Sequence, residues 1–337
     1  MNLRHHGDAD ATPGLVDLAV NVRAPAPAWL LDALTADPQR WAAYPDPTAA
    51  TQALAARHGV RPEQVLPTPG AAAAFALVAG LRPRRPVMVH PQFTEPESAL
   101  ADAGLPVTRH LLSPHTGFRL DPALVPGGDL VVVGNPTNPT GALHPATDLL
   151  ALRRPGRVVV VDEAFMDFVP DETESLITGD LTGVLIVRSI TKMWGLAGIR
   201  AGYVVGDASL IARLAGLQRP WAVSTPALDA LVACSAPSAV AEASRAAEQS
   251  AADRDELVGL MSAAGFPVAG DPRTPFILVD TSCVFRDDVR AGLAEAGFAV
   301  RRGETFPGLG PQWIRVAVRD PGTSRALAHT LAAWRAR

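Results

Sequence analysis

The sequence predicts an α/β protein: a large lobe built on a mostly parallel sheet, followed by a smaller α+β lobe. Three features of the 337 residues point there. Short β-branched runs alternate with Ala/Leu-rich stretches through the first two thirds of the chain, the rhythm of strands connected by crossover helices. The strand-like runs are continuously apolar rather than alternating, as expected of strands covered on both faces. A hydrophobic share of 48% against 19% charged residues suits a sizeable core, and the length allows two packed lobes.

The elements follow in order. Residues 1–10 are polar and lack the basic start and apolar centre of a signal peptide, and no apolar run reaches the length of a membrane span, so a cytoplasmic protein without a membrane partner is expected. Residues 1–28 are assigned to an N-terminal arm, with the Pro/Ala stretch 24–27 leading into the first helix; the arm can join the small lobe. Residues 29–237 form the large domain. Its buried strands are expected at 87–90, 129–134, 157–161, 184–188 and 202–205, each bounded by turn or polar residues. Helices at 71–81, 95–103, 145–153 and 208–217 carry Pro or Gly close to most ends and would cover the sheet. The Ala-rich segment 239–264 has polar residues at helical spacing and would connect the lobes. The small domain, 238–337, continues with strands at 276–280, 298–301 and 313–318, a helix at 287–296 and a terminal helix to Arg337.

Composition excludes several classes of function. A net charge of −4 with scattered arginine lacks the concentrated basic face of a nucleic-acid binder, which favours a small-molecule partner. Cys234 and Cys283 lie far apart without metal-type spacing and read as buried thiols, so no metal site is expected. The chain has a single lysine, Lys192, and the other 29 of its 30 basic residues are arginine. A desolvated lysine amine can attack an aldehyde whereas a guanidinium cannot, which is one reason for a lone lysine to persist; chance survival is the other.

Four motifs collect at predicted strand ends: N-P-T-N-P-T-G from Asn135, V-V-V-D-E-A-F from Val159, S-I-T-K from Ser189 and G-I-R-A-G from Gly198. Ligands in open α/β sheets bind beyond the carboxyl ends of the strands, so one pocket can gather all four. In kind and order the motifs resemble the class I/II, fold type I aminotransferases, and the resemblance covers nearly the whole chain. It implies an aspartate-aminotransferase-like fold, pyridoxal 5'-phosphate as cofactor and a homodimer with shared active sites.

The resemblance also implies roles, position by position. Lys192 matches the family's Schiff-base lysine, whose released amine moves the proton at the substrate Cα. Asp162 matches the carboxylate that pairs with the pyridine nitrogen, and Asn138 the amide that bonds the ring 3'-oxygen. An Asn-Pro turn is the plainer reading of Asn138. Phe93 fits the aromatic on the cofactor ring, although a lone Phe is usually core. Gly70, Ala71 and Ala72 open a helix whose free N–H groups would face the phosphate. Ser189 and Arg200 would complete that cup, a guanidinium meeting phosphate with two bonds. Tyr44 resembles the tyrosine that reaches the phosphate from the partner subunit. Arg315 matches the arginine that grips the substrate carboxylate, and Asn21 lies where the family's arm helps to hold it. Phe165 stands where many relatives have tyrosine, which removes one hydrogen bond to the 3'-oxygen. The alanines after Gly70 leave more of the phosphate binding to the backbone.

Short length, the Tyr44-Pro-Asp-Pro47 entry and the brief C-terminal lobe resemble the histidinol-phosphate aminotransferase branch, which includes the threonine-phosphate decarboxylases of the cobalamin pathway. The segment from Asp162 to Phe168 and the arm residues Arg4-His-His-Gly-Asp8 look more like the decarboxylases, whose His-Gly motif approaches the substrate phosphate; His6 is the candidate here, and a solvated arm is its bland reading. Transfer and decarboxylation both stand, because sequence does not fix which Cα bond lies perpendicular to the ring. The strand before Asp162-Glu163 also resembles the Mg-binding strand of a P-loop ATPase, but no Gly-rich loop precedes the only lysine. A cofactor-binding protein without turnover is the remaining alternative, against which the intact Lys192, Asp162 and Arg200 speak.

Overall fold

A computed structural model describes residues 3–23, 25–284 and 288–335. The first elements are β1 (Val16–Leu18), α1 (Ala28–Thr35), α2 (Thr48–His58) and β2 (Val65–Thr68). Then come α3 (Ala71–Gly80), β3 (Pro86–His90), α4 (Glu95–Asp102), β4 (Thr108–Leu111), β5 (Leu130–Gly134) and α5 (Ala146–Leu150). The sheet is completed by β6 (Val158–Asp162), β7 (Val184–Ser189) and β8 (Gly202–Gly206), followed by α6 (Ala208–Leu217), α7 (Thr225–Ser235) and α8 (Pro237–Ala263). Last are β9 (Phe276–Asp280), α9 (Val289–Glu295), β10 (Phe298–Arg302), β11 (Trp313–Ala317) and α10 (Pro321–Arg335).

Seven strands form one sheet in the order β2-β8-β7-β6-β5-β3-β4. Pairing is parallel from β7 to β4, and β8 alone runs against the rest. The valine runs are continuous because both faces are covered. Val131, Val133, Val159 and Val161 enter the core beneath α2 and α7, while Leu130, Val132 and Val160 enter the one beneath α3 and α6. Each such side chain, fully buried, stabilises the fold by about 1.5–3 kcal/mol. The second sheet, β1-β10-β11-β9, packs with α9, α10 and the end of α8 around a core of its own. Ala239, Ala243 and Ala247 of α8 belong to the first core and Leu257 and Met261 to that of the second sheet, so this one helix of about 40 Å ties both together.

The expected strands and helices are present, with differences that have local causes. The expected helix at 145–153 stops at Leu150, since Arg154 precedes Pro155 and the chain leaves through i→i+3 bonds such as Leu152 N to Leu149 O. β2 was not anticipated because Pro67 interrupts it, which an edge strand tolerates. β4, also an edge, is polar and largely exposed. The arm does join the second sheet, β1 pairing parallel with β10. The loop from Gly198 precedes β8 and reaches the sheet edge shared by the other motifs because β8 is reversed. Of the two cysteines expected to be buried, Cys234 is, while Cys283 is half-buried with its thiol donating to Gly265 O. The start of the expected helix at 287–296, the first residue of the stretch 24–27 and the last two residues of the terminal helix lie outside the described residues.

Candidate active site

The carboxyl edge of β5, β6 and β7 opens on a cavity of about 550 Å³ lined by Ala71, Ala72, Phe93, Asn138, Asp162, Ser189, Lys192, Arg200, Asn21, Arg315 and His6. Of the residues singled out in the sequence, all but Gly70 and Tyr44 line it.

Asp162 is the last residue of β6. Burial pushes its carboxyl up to about 6, against the pull of the Ala164 N–H and of Lys192. Its one hydrogen bond among the described residues comes from Ala164 N at 3.1 Å. Lys192 lies in the turn after β7. Burial, then the Arg315 and Arg200 charges, lower its amine to about 8, with Asp162 and Asp8 opposing. A substantial fraction is therefore neutral near pH 8, the form able to attack a carbonyl.

The N-P-T-N-P-T-G loop is stitched from within. Asn135 accepts from His144 N at 2.7 Å and donates to His144 O, and Thr137 donates to Gly134 O. That fastening presents Asn138 to the cavity, where its Oδ1 accepts from Arg315 Nη1 at 2.5 Å and its Nδ2 has no acceptor among the described residues.

At the opposite end, α3 begins after Gly70, which has φ 79 and ψ 169 and no side-chain cap, so the N–H groups of the first turn point outward. A Cβ on Gly70 would stand 2.8 Å from Arg200 Nη2. Glycine thus allows both the backbone turn and the approach of the guanidinium, and Arg200 itself is held at φ 60. Ser189 Oγ lies 2.7 Å from Thr191 Oγ1 in the same cup. Phe93 forms a wall between the His6 ring, 5.5 Å away, and Phe75.

Arg315 is buried on β11 and pairs with no carboxylate among the described residues. Burial and then Arg301 lower its guanidinium to about 9. Besides Asn138 it donates to Ala19 O, and its face lies 5.0 Å over the Phe276 ring, which meets Phe165 edge-on at 5.0 Å. Its Nε and the Nδ2 of Asn21 are buried donors without a partner among the described residues. Both residues line the cavity, so their unpaired donors mark a candidate place for an anion. His6 bonds Glu95 at 2.6 Å at the cavity mouth. Tyr44 is remote from this cavity, 76% exposed and stacked on Trp221 at 4.3 Å.

Sequence reasoning missed Arg301, Asp8, Glu95 and Phe306 in the lining. Arg301 is directly opposite Arg315 in the antiparallel register of β10 and β11 and is paired with Asp10 at 2.8 Å. A charged residue inside each of two apolar strands was the available signal.

The residues fit pyridoxal 5'-phosphate: a depressed amine, a buried carboxyl short of partners, an amide whose Nδ2 has no acceptor among the described residues, and a guanidinium beside a bare helix N-terminus form the set of groups such a ring and its phosphate require.

Comparison with known proteins agrees. The family model described as aminotransferase class I and II matches residues 14–332. A histidinol-phosphate aminotransferase of Mycobacterium tuberculosis is 47% identical over 94% of this chain and 87% of its own. A threonine-phosphate decarboxylase of Salmonella typhimurium is 31% identical over 83% of this chain and 79% of its own. Among solved structures, a histidinol-phosphate aminotransferase from Clostridium acetobutylicum superposes with a TM-score of 0.84 at 20% identity, covering 94% of this chain and 98% of that one. At that identity the likeness speaks for the fold alone.

Proposed function

The chain belongs to the class I and II aminotransferase family, and from that premise we propose that it transfers the amino group at the Cα of an amino acid or amino-phosphate, as a histidinol-phosphate-aminotransferase-like enzyme. It is an enzyme, and pyridoxal 5'-phosphate is its cofactor. The observation that carries the reading is the joint presence, around one cavity, of the depressed Lys192 amine, the Asp162 carboxyl and the unpaired donors of Arg315 and Asn21.

When bound, the cofactor supplies an electron sink for charge left at the substrate Cα. Lys192 would hold the cofactor through its carbonyl carbon, and its neutral amine would take and return the proton at the substrate Cα. Asp162 would keep a proton on the pyridine nitrogen, and Asn138 would donate to the 3'-oxygen. The first turn of α3 from Ala71 and Ala72, with Gly70 behind it, Ser189 and Arg200 would hold the phosphate. Phe93 walls one side and excludes water. Arg315, with Asn21, takes the substrate carboxylate, while His6 stands at the mouth where a substrate phosphate would enter.

A homodimer belongs to this proposal. Tyr44, exposed and braced on Trp221, supports a role at the partner's phosphate site. An arm at 1–28, a large domain at 29–237 and a small one at 238–337 are the proposed divisions, supported by the separate cores that α8 spans. Among the described residues no helix is long and apolar enough to cross a membrane, which supports the proposed cytoplasmic location.

Decarboxylation of threonine phosphate is a second reading, favoured by the relatives of that name at 29–32% identity and by His6 in the lining. One experiment separates the two. Holoenzyme is mixed in single turnover with histidinol phosphate, threonine phosphate and glutamate in turn, and products are identified by mass spectrometry. Transfer predicts a keto product with the amino group left on the cofactor; carbon dioxide with the cofactor returned unchanged would replace this reading by the second.

A further inference from the structure

The carboxylate anchor and the cofactor lysine belong to different elements, and segment 17–23 of the arm is what spans them. The Asp17 carboxylate accepts from the N–H groups of Ala19 and Val20, both at 2.9 Å, and folds the segment into a turn. At its far end Arg23 N donates to Lys192 O at 2.9 Å. Between them Asn21 lines the cavity, its Nδ2 buried without a partner among the described residues. The chain passes closely enough that a Cβ on Gly195, next to the lysine turn, would meet Arg23 O at 2.7 Å, and one on Gly7 would meet Ala19 O at 2.6 Å.

One side chain fastens this segment without lining the cavity. Arg319, just beyond β11, donates through Nε to Asp17 O at 3.1 Å and through Nη2 to Val20 O at 2.5 Å. Its fork therefore closes on the two carbonyls that bracket the turn, one residue short of Asn21. Arg315, four residues earlier, donates to Ala19 O between them. A planar guanidinium that satisfies two main-chain acceptors at once fixes both position and tilt, which a single ammonium cannot do.

We propose that Arg319 is a positioning residue for substrate carboxylates: it grips the carbonyls of Asp17 and Val20 and so aims Asn21 and the Ala19 carbonyl that orients Arg315 toward the space beside Lys192. The inference rests on the reading of Arg315 and Asn21 as the carboxylate anchor. It assigns to an arginine outside the site the setting of a distance between the anchor and the lysine, and small misplacements there carry large rate penalties.

The test uses holoenzyme and two carbonyl reagents that differ by a carboxylate, amino-oxyacetate and methoxyamine, each followed by discharge of the cofactor's visible absorbance. The ratio of their rate constants reads carboxylate recognition alone. Arg319→Ala is expected to lower that ratio about tenfold with the methoxyamine rate unchanged, and Arg319→Lys to recover part of it. In an Asn21→Ala background, Arg319→Ala is expected to lower the ratio by less than the roughly tenfold expected alone, since the part of its effect that runs through Asn21 is already lost and the part that runs through Ala19 O and Arg315 remains. A ratio unmoved by Arg319→Ala but lowered by Arg315→Gln overturns the positioning role and leaves the anchor standing. Should Arg315→Gln also leave it unmoved, the anchor itself falls and the inference with it. Equal slowing of both reagents in Arg319→Ala marks a general distortion and likewise overturns the proposal.

Discussion

Two neighbouring carboxylates at the end of β6 face opposite sides of the sheet and live in opposite circumstances. Glu163, on the side away from the cavity, accepts from Arg188 Nε at 2.9 Å, Ser175 Oγ at 2.8 Å and Leu176 N at 3.1 Å. Around it Arg188 also binds Glu172 and Asp167, and Arg57 reaches Asp167 at 2.8 Å. Asp162, on the cavity side, has one backbone N–H. The same contrast separates Arg188, paired with three carboxylates, from Arg315, paired with none. Burial alone therefore does not mark a functional charge. A buried charge surrounded by partners holds the strands together, and one short of partners is kept for a ligand.

The largest effect that would sharpen this contrast is expected on the cavity side. Lys192→Ala should leave the fold intact while lowering turnover by about 10⁴-fold or more, with loss of the covalently held cofactor visible in the absorbance spectrum. If thermal unfolding collapsed instead, the lysine would be structural and the comparison would break. On the far side, Arg188→Met removes the guanidinium shared by buried Glu163 and Asp167 and half-buried Glu172, and should cost about 3–5 kcal/mol of stability, read from denaturant unfolding of the holoenzyme. A variant of normal stability but no activity would reverse the assignment.

Acidity gives a smaller and more specific test. The Asp162 carboxyl is raised from 3.8 to about 6 in the folded apoprotein. The native state then holds that proton more tightly than the unfolded chain, so stability contributed by this group is present below about pH 4 and is lost as pH rises toward 6. The loss is on the order of 2–3 kcal/mol. Urea unfolding of apoprotein at several pH values, set against Asp162→Asn, isolates it from Glu163 and Asp167, which burial also raises. An Asp162→Asn profile with the same slope would show the group to be unexceptional. The smallest effect is expected from Phe165→Tyr, which adds a hydroxyl in the cavity lining; the pH midpoint of the cofactor's absorbance should move by less than about one unit, and no movement would mean that the hydroxyl cannot reach the ring oxygen.

Much of this was legible before any coordinates. The valine runs of β5 and β6 carry their double coverage in their composition, and the motif residues arrive at one edge because parallel strands end together. What stayed hidden was of two kinds. Edge strands such as Thr108–Leu111 carry little apolar signal, since they bury little. Partners distant in sequence were hidden too: nothing near Asp10 announces that it will meet Arg301 and Arg302, nor does Arg319 announce the carbonyls of Asp17 and Val20.

By itself the sequence determined the kind of chemistry: a lone lysine, an aspartate ending a buried strand and an Asn-Pro loop are covalent facts, and their order along parallel strands brings them to one edge. Only the tertiary structure decided which buried charges were satisfied and which were left open. That is a matter of distance between elements far apart in the chain, and the energy of a buried charge is set by what lies within a few ångströms of it rather than by its neighbours in sequence.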